Sequence, residues 1–192
     1  MAQRILLLSD SHEYKTFLER SLGDESFDID SNIKSIDELA TLAAKTRSDI
    51  ILVVMDQSNT ETMETIRQLM QENPVPVVMF VNEGDENSAA AATHAGVSAF
   101  VIDGLRDNRV KPILTAAVAR FKETHKLRQE LDIAQASLKE RKLVERAKGL
   151  LMKQRDCSED EAYTALRTLA MKQNKRLGEI AEGVINTVSL MT

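Results

Sequence analysis

"DIILVVM", residues 49–55, is a continuous apolar run of strand length, rich in β-branched residues and bounded by carboxylates at Asp49 and Asp56. Seven residues are too few for a buried helix, and the absence of polar alternation indicates a strand covered on both faces. Four further runs of similar length flank it: "RILLLS" (4–9), "FDIDS" (27–31), "VPVVMFV" (75–81) and "SAFVI" (98–102). Between them lie amphipathic stretches with helical spacing, "YKTFLERSL" (14–22), "IDELATLAAKT" (36–46), "ETMETIRQLMQ" (61–71) and "ENSAAAATHAG" (86–96), the last closing on a predicted C-cap, Gly96. Strands alternating with helices define an α/β domain with a five-stranded parallel sheet and helices on both faces. In open sheets of this kind the site lies at the carboxyl ends of the strands, here Ser9-Asp10, Val54 to Asp56, Val81-Asn82 and Ile102-Asp103. No glycine-rich phosphate loop follows the first strand, which argues against a nucleotide-binding version.

The chain of 192 residues, 43% hydrophobic, can bury one ordinary core and support a smaller second module. Its single cysteine, Cys157, has no internal disulfide partner. The N-terminal apolar run soon meets charge, so neither a signal peptide nor a spanning helix is expected, and a cytoplasmic location follows. The formal net charge is -5, but residues 1–138 hold 14 Lys/Arg against 22 Asp/Glu while residues 139–176 hold 11 against 6. This partition predicts an acidic globular part and a basic part suited to a polyanion. The three histidines, His12, His94 and His125, are scattered, and no nucleophile stands near a base. No catalytic, metal or cofactor site is therefore expected, and the chain reads as a non-enzyme.

Beyond the sheet pattern, residues 109–154 hold one proline, Pro112, and one glycine, Gly149, which predicts one long helix or two nearly continuous ones. Leu127, Leu131, Ala134 and Leu138 recur at spacings of four, three and four, a coiled-coil stripe and a candidate dimer seam. Ser158 with Glu161 three residues later forms a capping box, and Glu159, Asp160 and Glu161 occupy the first turn, where the helix dipole favours negative charge. Ala162, Ala165, Leu166 and Leu169 then make an apolar face, and a third helix is expected from Asn174 through Leu177, Ile180, Ala181, Val184 and Ile185. With Val144, Ala147, Leu150 and Leu151 these would form a three-helix core. The cations left outside it are Lys142, Arg146, Lys148, Arg167, Lys172, Lys175 and Arg176. The predicted organisation is thus residues 1–120, a linking coiled-coil helix over 121–140, and a helical module over 141–192. A DNA-binding reading lacks a tight turn before a recognition helix. A protein-interaction adaptor stands as an alternative.

Residues 1–120 resemble the receiver domain of bacterial response regulators, a flavodoxin-like fold. That resemblance implies a cation-binding acidic group at Asp10, a phosphoryl-accepting aspartate at the end of the third strand, a hydroxyl on the fourth and a lysine on the fifth. Registering "SDIILVV" on the third-strand pattern places Val54 at the acceptor, Val81 at the hydroxyl position and Asp103 near the lysine, so a degenerate pocket is expected. Asp56, two residues on and facing the same side in a regular strand, is the alternative acceptor of a phosphorylation-dependent regulator if the strand end is bulged or shifted. Farther on, "AKGLLM" (147–152) and "EDEAYTALRTLAMKQNKRLGEIA" (159–181) resemble the ANTAR family of bacterial antiterminators. "PVVMFVNE", "SAF" and "RVKPIL" are closer to its nitrate-responsive NasT type than to its amide-responsive AmiR type. The resemblance implies binding of paired hairpins in leader mRNA, control of nitrate and nitrite assimilation genes, and sequestration by a NasS-like nitrate-binding sensor protein. Under it, Lys148, Arg167 and Lys172 would meet phosphate and Met171 and Asn174 would meet loop bases, in an active homodimer; Lys142, Arg146, Lys175 and Arg176 join the candidate RNA-binding residues on their charge alone. Neither membrane nor DNA is among the expected partners.

Overall fold

The computed structural model describes residues 2–23, 26–103 and 105–189. Met1 and residues 190–192 of the expected C-terminal module lie outside the described residues. The chain divides at His125/Lys126 into two compact units.

In the first unit, β1 (Gln3–Ser9), α1 (His12–Leu22), β2 (Phe27–Ile33), α2 (Ile36–Lys45), β3 (Ile50–Gln57), α3 (Thr60–Glu72), β4 (Val77–Glu83), α4 (Glu86–Ala95) and β5 (Ala99–Ile102) precede the start of α5 (Asp107–Arg155). The sheet order is β2-β1-β3-β4-β5 and every ladder is parallel. Strand period separates the side chains into two layers. Leu6, Leu8, Ile51, Val53, Val77 and Met79 face a core closed by Leu39, Ala43, Ile66, Leu69, Ala92 and Ala95 from α2, α3 and α4. Ile5, Leu7, Leu52, Val54, Val78 and Phe80 face the other way, onto Leu18 and Leu22 of α1 and Val110, Leu114, Ala117 and Val118 of α5.

Polar caps start the helices. Ser11, Ser35, Asn59 and Asp85 each accept a hydrogen bond from a backbone N–H of the first turn, and Asp85 with Ser88 forms a reciprocal box. The predicted C-cap Gly96 has φ 92°, a conformation glycine adopts freely, and a β-carbon there would sit 3.3 Å from Cγ of Met70.

Strand limits shift from the sequence reading. β4 starts at Val77 rather than Val75 because Pro76 has no N–H for the ladder, although its carbonyl accepts from Ile51 N at 2.8 Å. At their other ends β3 and β4 continue to Gln57 and Glu83, which pair in register and whose side chains are hydrogen-bonded to each other. Asp56 consequently lies inside a regular strand end, with no bulge.

The second unit comprises the rest of α5, α6 (Glu159–Gln173) and α7 (Leu177–Ser189). Val144 and Ala147 of α5, Leu166 and Ala170 of α6, and Ile180, Ala181 and Ile185 of α7 form its core, flanked by Leu143, Leu150, Leu151, Leu177 and Val184. Two details correct the sequence reading. The buried stripe of α6 is Ala162, Leu166 and Ala170, whereas Ala165 is exposed and Leu169 is 37% exposed, because a spacing of four keeps a single row against the core. Asn174 does not begin the third helix: it terminates α6 in the left-handed conformation, φ 50°, while Lys175 N–H donates to the Ala170 carbonyl at 3.0 Å. The first turn of α7 is held by Glu140 of α5, whose Oε1 accepts from Gly178 N–H at 3.1 Å; a β-carbon at 178 would stand 2.9 Å from Glu140 Cγ.

Candidate functional site

The carboxyl ends of β1, β3 and β4 bring Asp10, Asp56 and Asn82 together. Asp10 Oδ2 accepts from the backbone N–H of Asp56 at 3.0 Å. The Asn82 amide donates to Asp56 Oδ1 at 2.6 Å and to the Tyr14 hydroxyl at 2.5 Å. Val54, at the expected acceptor place, is 3% exposed and packed in the α1/α5 layer, and Val81 is equally buried. Asp103 caps the end of β5 with φ 48°, its N–H donating to the Val81 carbonyl at 2.9 Å. The corner therefore joins two carboxylates through neutral donors, and Asp103 stands at the end of β5, where the sequence reading expected a lysine to be missing. Among the described residues no cluster of three or more His, Cys, Asp or Glu side chains is arranged to hold a metal ion.

In the second unit, helix phase separates the predicted basic residues. Arg167, Met171, Asn174 and Lys175 converge with Tyr163 around a shallow concavity of about 400 Å³, floored by Ala170 and Leu177. Spacings of four along α6 align Tyr163, Arg167 and Met171, and the left-handed turn at Asn174 folds Lys175 back beside them. Met171 is 75% exposed and Tyr163 41%, so an apolar surface and a ring face stand in solvent between two cations. Tyr163 is not among the residues expected from the sequence; its phase with Arg167 and Met171, rather than with Leu166, carries the signal that would have found it. Lys172, five residues from Arg167, is exposed on a different side of α6, and Arg176 is exposed at the start of α7, its backbone N–H bonded to Glu179. Lys142 and Arg146 are exposed on α5.

Lys148 requires a correction. Expected outside the core, its side chain is only 9% exposed, and Nζ lies 2.7 Å from both Glu145 Oε1 and Glu159 Oε1. Its place is set by phase: Lys148 follows Val144 by four residues, on the buried side of α5. The hydrogen bonds that Lys148 donates to Glu145 and then to Glu159 raise the Lys148 pKa above its ordinary value, and the Lys148 bond holds the Glu159 carboxyl below its own. Glu159 is also in the first turn of α6, so the pair ties the end of α5 to the start of α6. Beside it, Ser158 and Glu161 form the predicted capping box, and the backbone and side-chain donors of Ser158 lower the Glu161 pKa.

The stripe residues Leu127, Leu131 and Leu138 are 61%, 55% and 55% exposed, and Ala134 is exposed with them. Among the described residues no helix is long and apolar enough to cross a membrane.

Residues 132–185 match the model of the ANTAR domain. The transcriptional regulatory protein PdtaR of Mycobacterium tuberculosis is 24% identical over 186 residues, covering 97% of this chain and 91% of that protein. A nitrate regulatory protein of Klebsiella oxytoca is 38% identical over 80 residues, 42% of this chain and 20% of that protein. Among solved structures, a CheY-like response regulator receiver domain from Methanospirillum hungatei superposes with a TM-score of 0.57 at 12% identity, over 65% of this chain and 99% of that one. The receiver domain of a modulated diguanylate cyclase from Desulfovibrio desulfuricans gives 0.56 at 16% identity, over 65% and 99%. The chain joins a receiver fold to an ANTAR domain, and the relatives it aligns with are regulatory proteins.

Two outcomes are expected. Incubation with acetyl phosphate and magnesium should leave the mass of the intact protein unchanged; an adduct that vanishes in Asp56→Asn would reverse the reading of the acidic corner. Thermal melting across pH should show the Lys148 clamp. The part of its stability carried by Glu159, whose folded pKa is depressed, is complete above the ordinary value of 4.5 and is lost as pH falls through the folded value. The part carried by Lys148, whose folded pKa is raised, is complete below 10.5 and is lost as pH rises through the folded value. Lys148→Gln should lower the melting temperature between these limits and flatten both flanks.

Proposed function

We propose that the chain is a transcription antitermination regulator whose ANTAR domain binds paired hairpins in leader mRNA. One observation carries this reading: Tyr163, Arg167, Met171, Asn174 and Lys175 share one open concavity on a domain that matches the ANTAR model. A hairpin loop presents unstacked bases above a ring of phosphates, and its binder needs a stacking face, an adaptable apolar contact, amide hydrogen bonds and flanking cations. Tyr163 supplies the face, Met171 the apolar contact, Asn174 the amide, and Arg167 and Lys175 the charge. Lys142, Arg146, Lys172 and Arg176 would add phosphate contacts outside the concavity. Lys148 serves as the internal clamp of the module instead of as an RNA contact.

Exposure of Leu127, Leu131, Ala134 and Leu138 on one stripe supports a homodimer seam, and two copies would present two concavities to two hairpins. Control is assigned to a partner protein instead of to phosphorylation, because the acidic corner lacks the hydroxyl and ammonium that a phosphoryl switch uses. The alignment with a nitrate regulatory protein supports nitrate as the signal, nitrate and nitrite assimilation as the regulated process, and a nitrate-binding sensor as the sequestering partner.

The test of RNA binding is a gel shift on a synthetic two-hairpin RNA across a salt series. Tyr163→Ala removes a stacking contact and should weaken binding by roughly 1–3 kcal/mol. Arg167→Glu should also weaken binding and reduce the log–log salt slope by roughly 0.7–0.9. Glu182→Lys, on an exposed position of α7, is the control and should not weaken it. Unchanged affinity in both variants, with helicity intact by circular dichroism, would return the module to a protein-interaction role. Affinity capture of the tagged protein from cells grown with and without nitrate tests the partner: recovery of a sensor protein is expected only without nitrate, and equal recovery removes nitrate as the signal.

A further inference from the structure

Gly149 lies inside α5, and its glycine identity has no explanation within this fold. A β-carbon built there meets nothing within 4 Å, and its φ is not positive. Glycine in a helix interior is unfavourable relative to alanine, so it is retained where a backbone must be approached closely. Ala147 and Ala170, by contrast, are buried small residues whose packing accounts for them. The surroundings of Gly149 indicate what approaches. Lys139, Lys142, Arg146 and Lys153 flank it at spacings of three, four, then seven residues across the glycine, all exposed and on the side of α5 facing away from Val144 and Ala147. The ion pairs of this unit among the described residues join Lys126 to Glu130 and Lys148 to Glu145 and Glu159, which leaves the four cations unpaired.

We infer that this outer face of α5 is a second nucleic-acid surface, separate from the concavity on α6, and that it takes the sugar–phosphate backbone of a double-stranded RNA stem against the bare backbone at Gly149. The inference rests on the RNA-binding function proposed above and divides its labour: α6 and the turn after it read an unstacked loop, while α5 holds the stem. From Lys139 to Lys153 the row extends about 20 Å along the helix, enough to follow several phosphates. A stem lacks unstacked bases and is met by charge and shape, which this face offers and the concavity, with its ring and thioether, does not. A second copy of this chain is the less fitting occupant. The row begins at Lys139, the residue after Leu138, so copies paired side by side along the leucine stripe would bring like charges face to face, a repulsion that an intervening polyanion removes.

Gly183 provides an internal control. It too is in a helix interior with open space around its β-carbon, but Glu179 and Glu182 are its charged neighbours on α7. Two synthetic probes separate the surfaces: the two-hairpin RNA, and a blunt RNA duplex of the same stem sequence without loops. Gly149→Gln should raise the melting temperature of the protein, since it removes a helix-interior glycine, and yet weaken both probes several-fold. Gly183→Gln should raise it without weakening either. Lys142→Gln and Arg146→Gln should each reduce the duplex salt slope by roughly one. Tyr163→Ala should lose affinity for the hairpin RNA and keep its affinity for the duplex. If the α5 variants bind both probes like the unaltered protein while Tyr163→Ala loses the hairpins, the second surface is wrong and the proposed function stands. If no variant, Tyr163→Ala included, changes hairpin binding, the proposed function itself fails. Sedimentation of RNA-free protein supplies the remaining outcome: a change of oligomeric state in Gly149→Gln would make the glycine a contact between copies and overturn the inference.

Discussion

One helix has to satisfy two cores. Near its start, α5 buries Val110, Leu114, Ala117 and Val118 against the sheet, and near its end it buries Val144 and Ala147 against α6 and α7. Among the described residues, α1 and α5 together cover that face of the sheet, and α5, α6 and α7 together build the second core. Between the two buried patches α5 exposes Leu127, Leu131 and Leu138 and the start of the cation row, whose Arg146 and Lys153 continue along its outer face past Val144.

The sequence made the sheet legible because buried parallel strands are uniform in their apolarity and their punctuation is chemical. Ser11, Ser35, Asn59 and Asp85 mark helix starts, and Gly96 marks an end. What it concealed depends on pairing between distant segments. The extension of β3 and β4 by two residues rests on Gln57 meeting Glu83, a contact that no local pattern announces. Lys148 was concealed differently. A lysine between Ala147 and Gly149 looks solvated until its phase with Val144 is followed, and its neutralising partners come from two helices, Glu145 three residues before it and Glu159 eleven residues after. Burying an ammonium is tolerable only with such partners in place, and the acidic first turn of α6 thereby acquires a second role besides favouring the helix dipole.

The candidate interface shows the same division. Charge and motif together named seven cations as candidate contacts, and helix phase separates them: Arg167 and Lys175 border the concavity, Lys142 and Arg146 lie on α5, Lys172 and Arg176 lie apart, and Lys148 is buried. Tyr163 was legible in principle, since an aromatic four residues before Arg167 and eight before Met171 shares their stripe. The acidic corner was read by absence, because Val54, Val81 and Asp103 stand where the receiver resemblance implied an acceptor, a hydroxyl and a lysine. The cross-strand role of Asn82, which bridges Asp56 and Tyr14, was not, since it joins three elements.

Glu140 and Gly178 are bound as a pair that heredity cannot easily separate. The carboxylate at 140 holds the Gly178 N–H in the first turn of α7, and the missing side chain at 178 gives it room. A change at 178 pushes α7 off α5 at the very turn that carries Leu177 into the concavity, while a change at 140 leaves an amide of α7 without its acceptor. The cations on the outer faces can drift one at a time, each costing a fraction of the whole. These two positions can drift only together, and lineages that have altered one should be found to have altered the other.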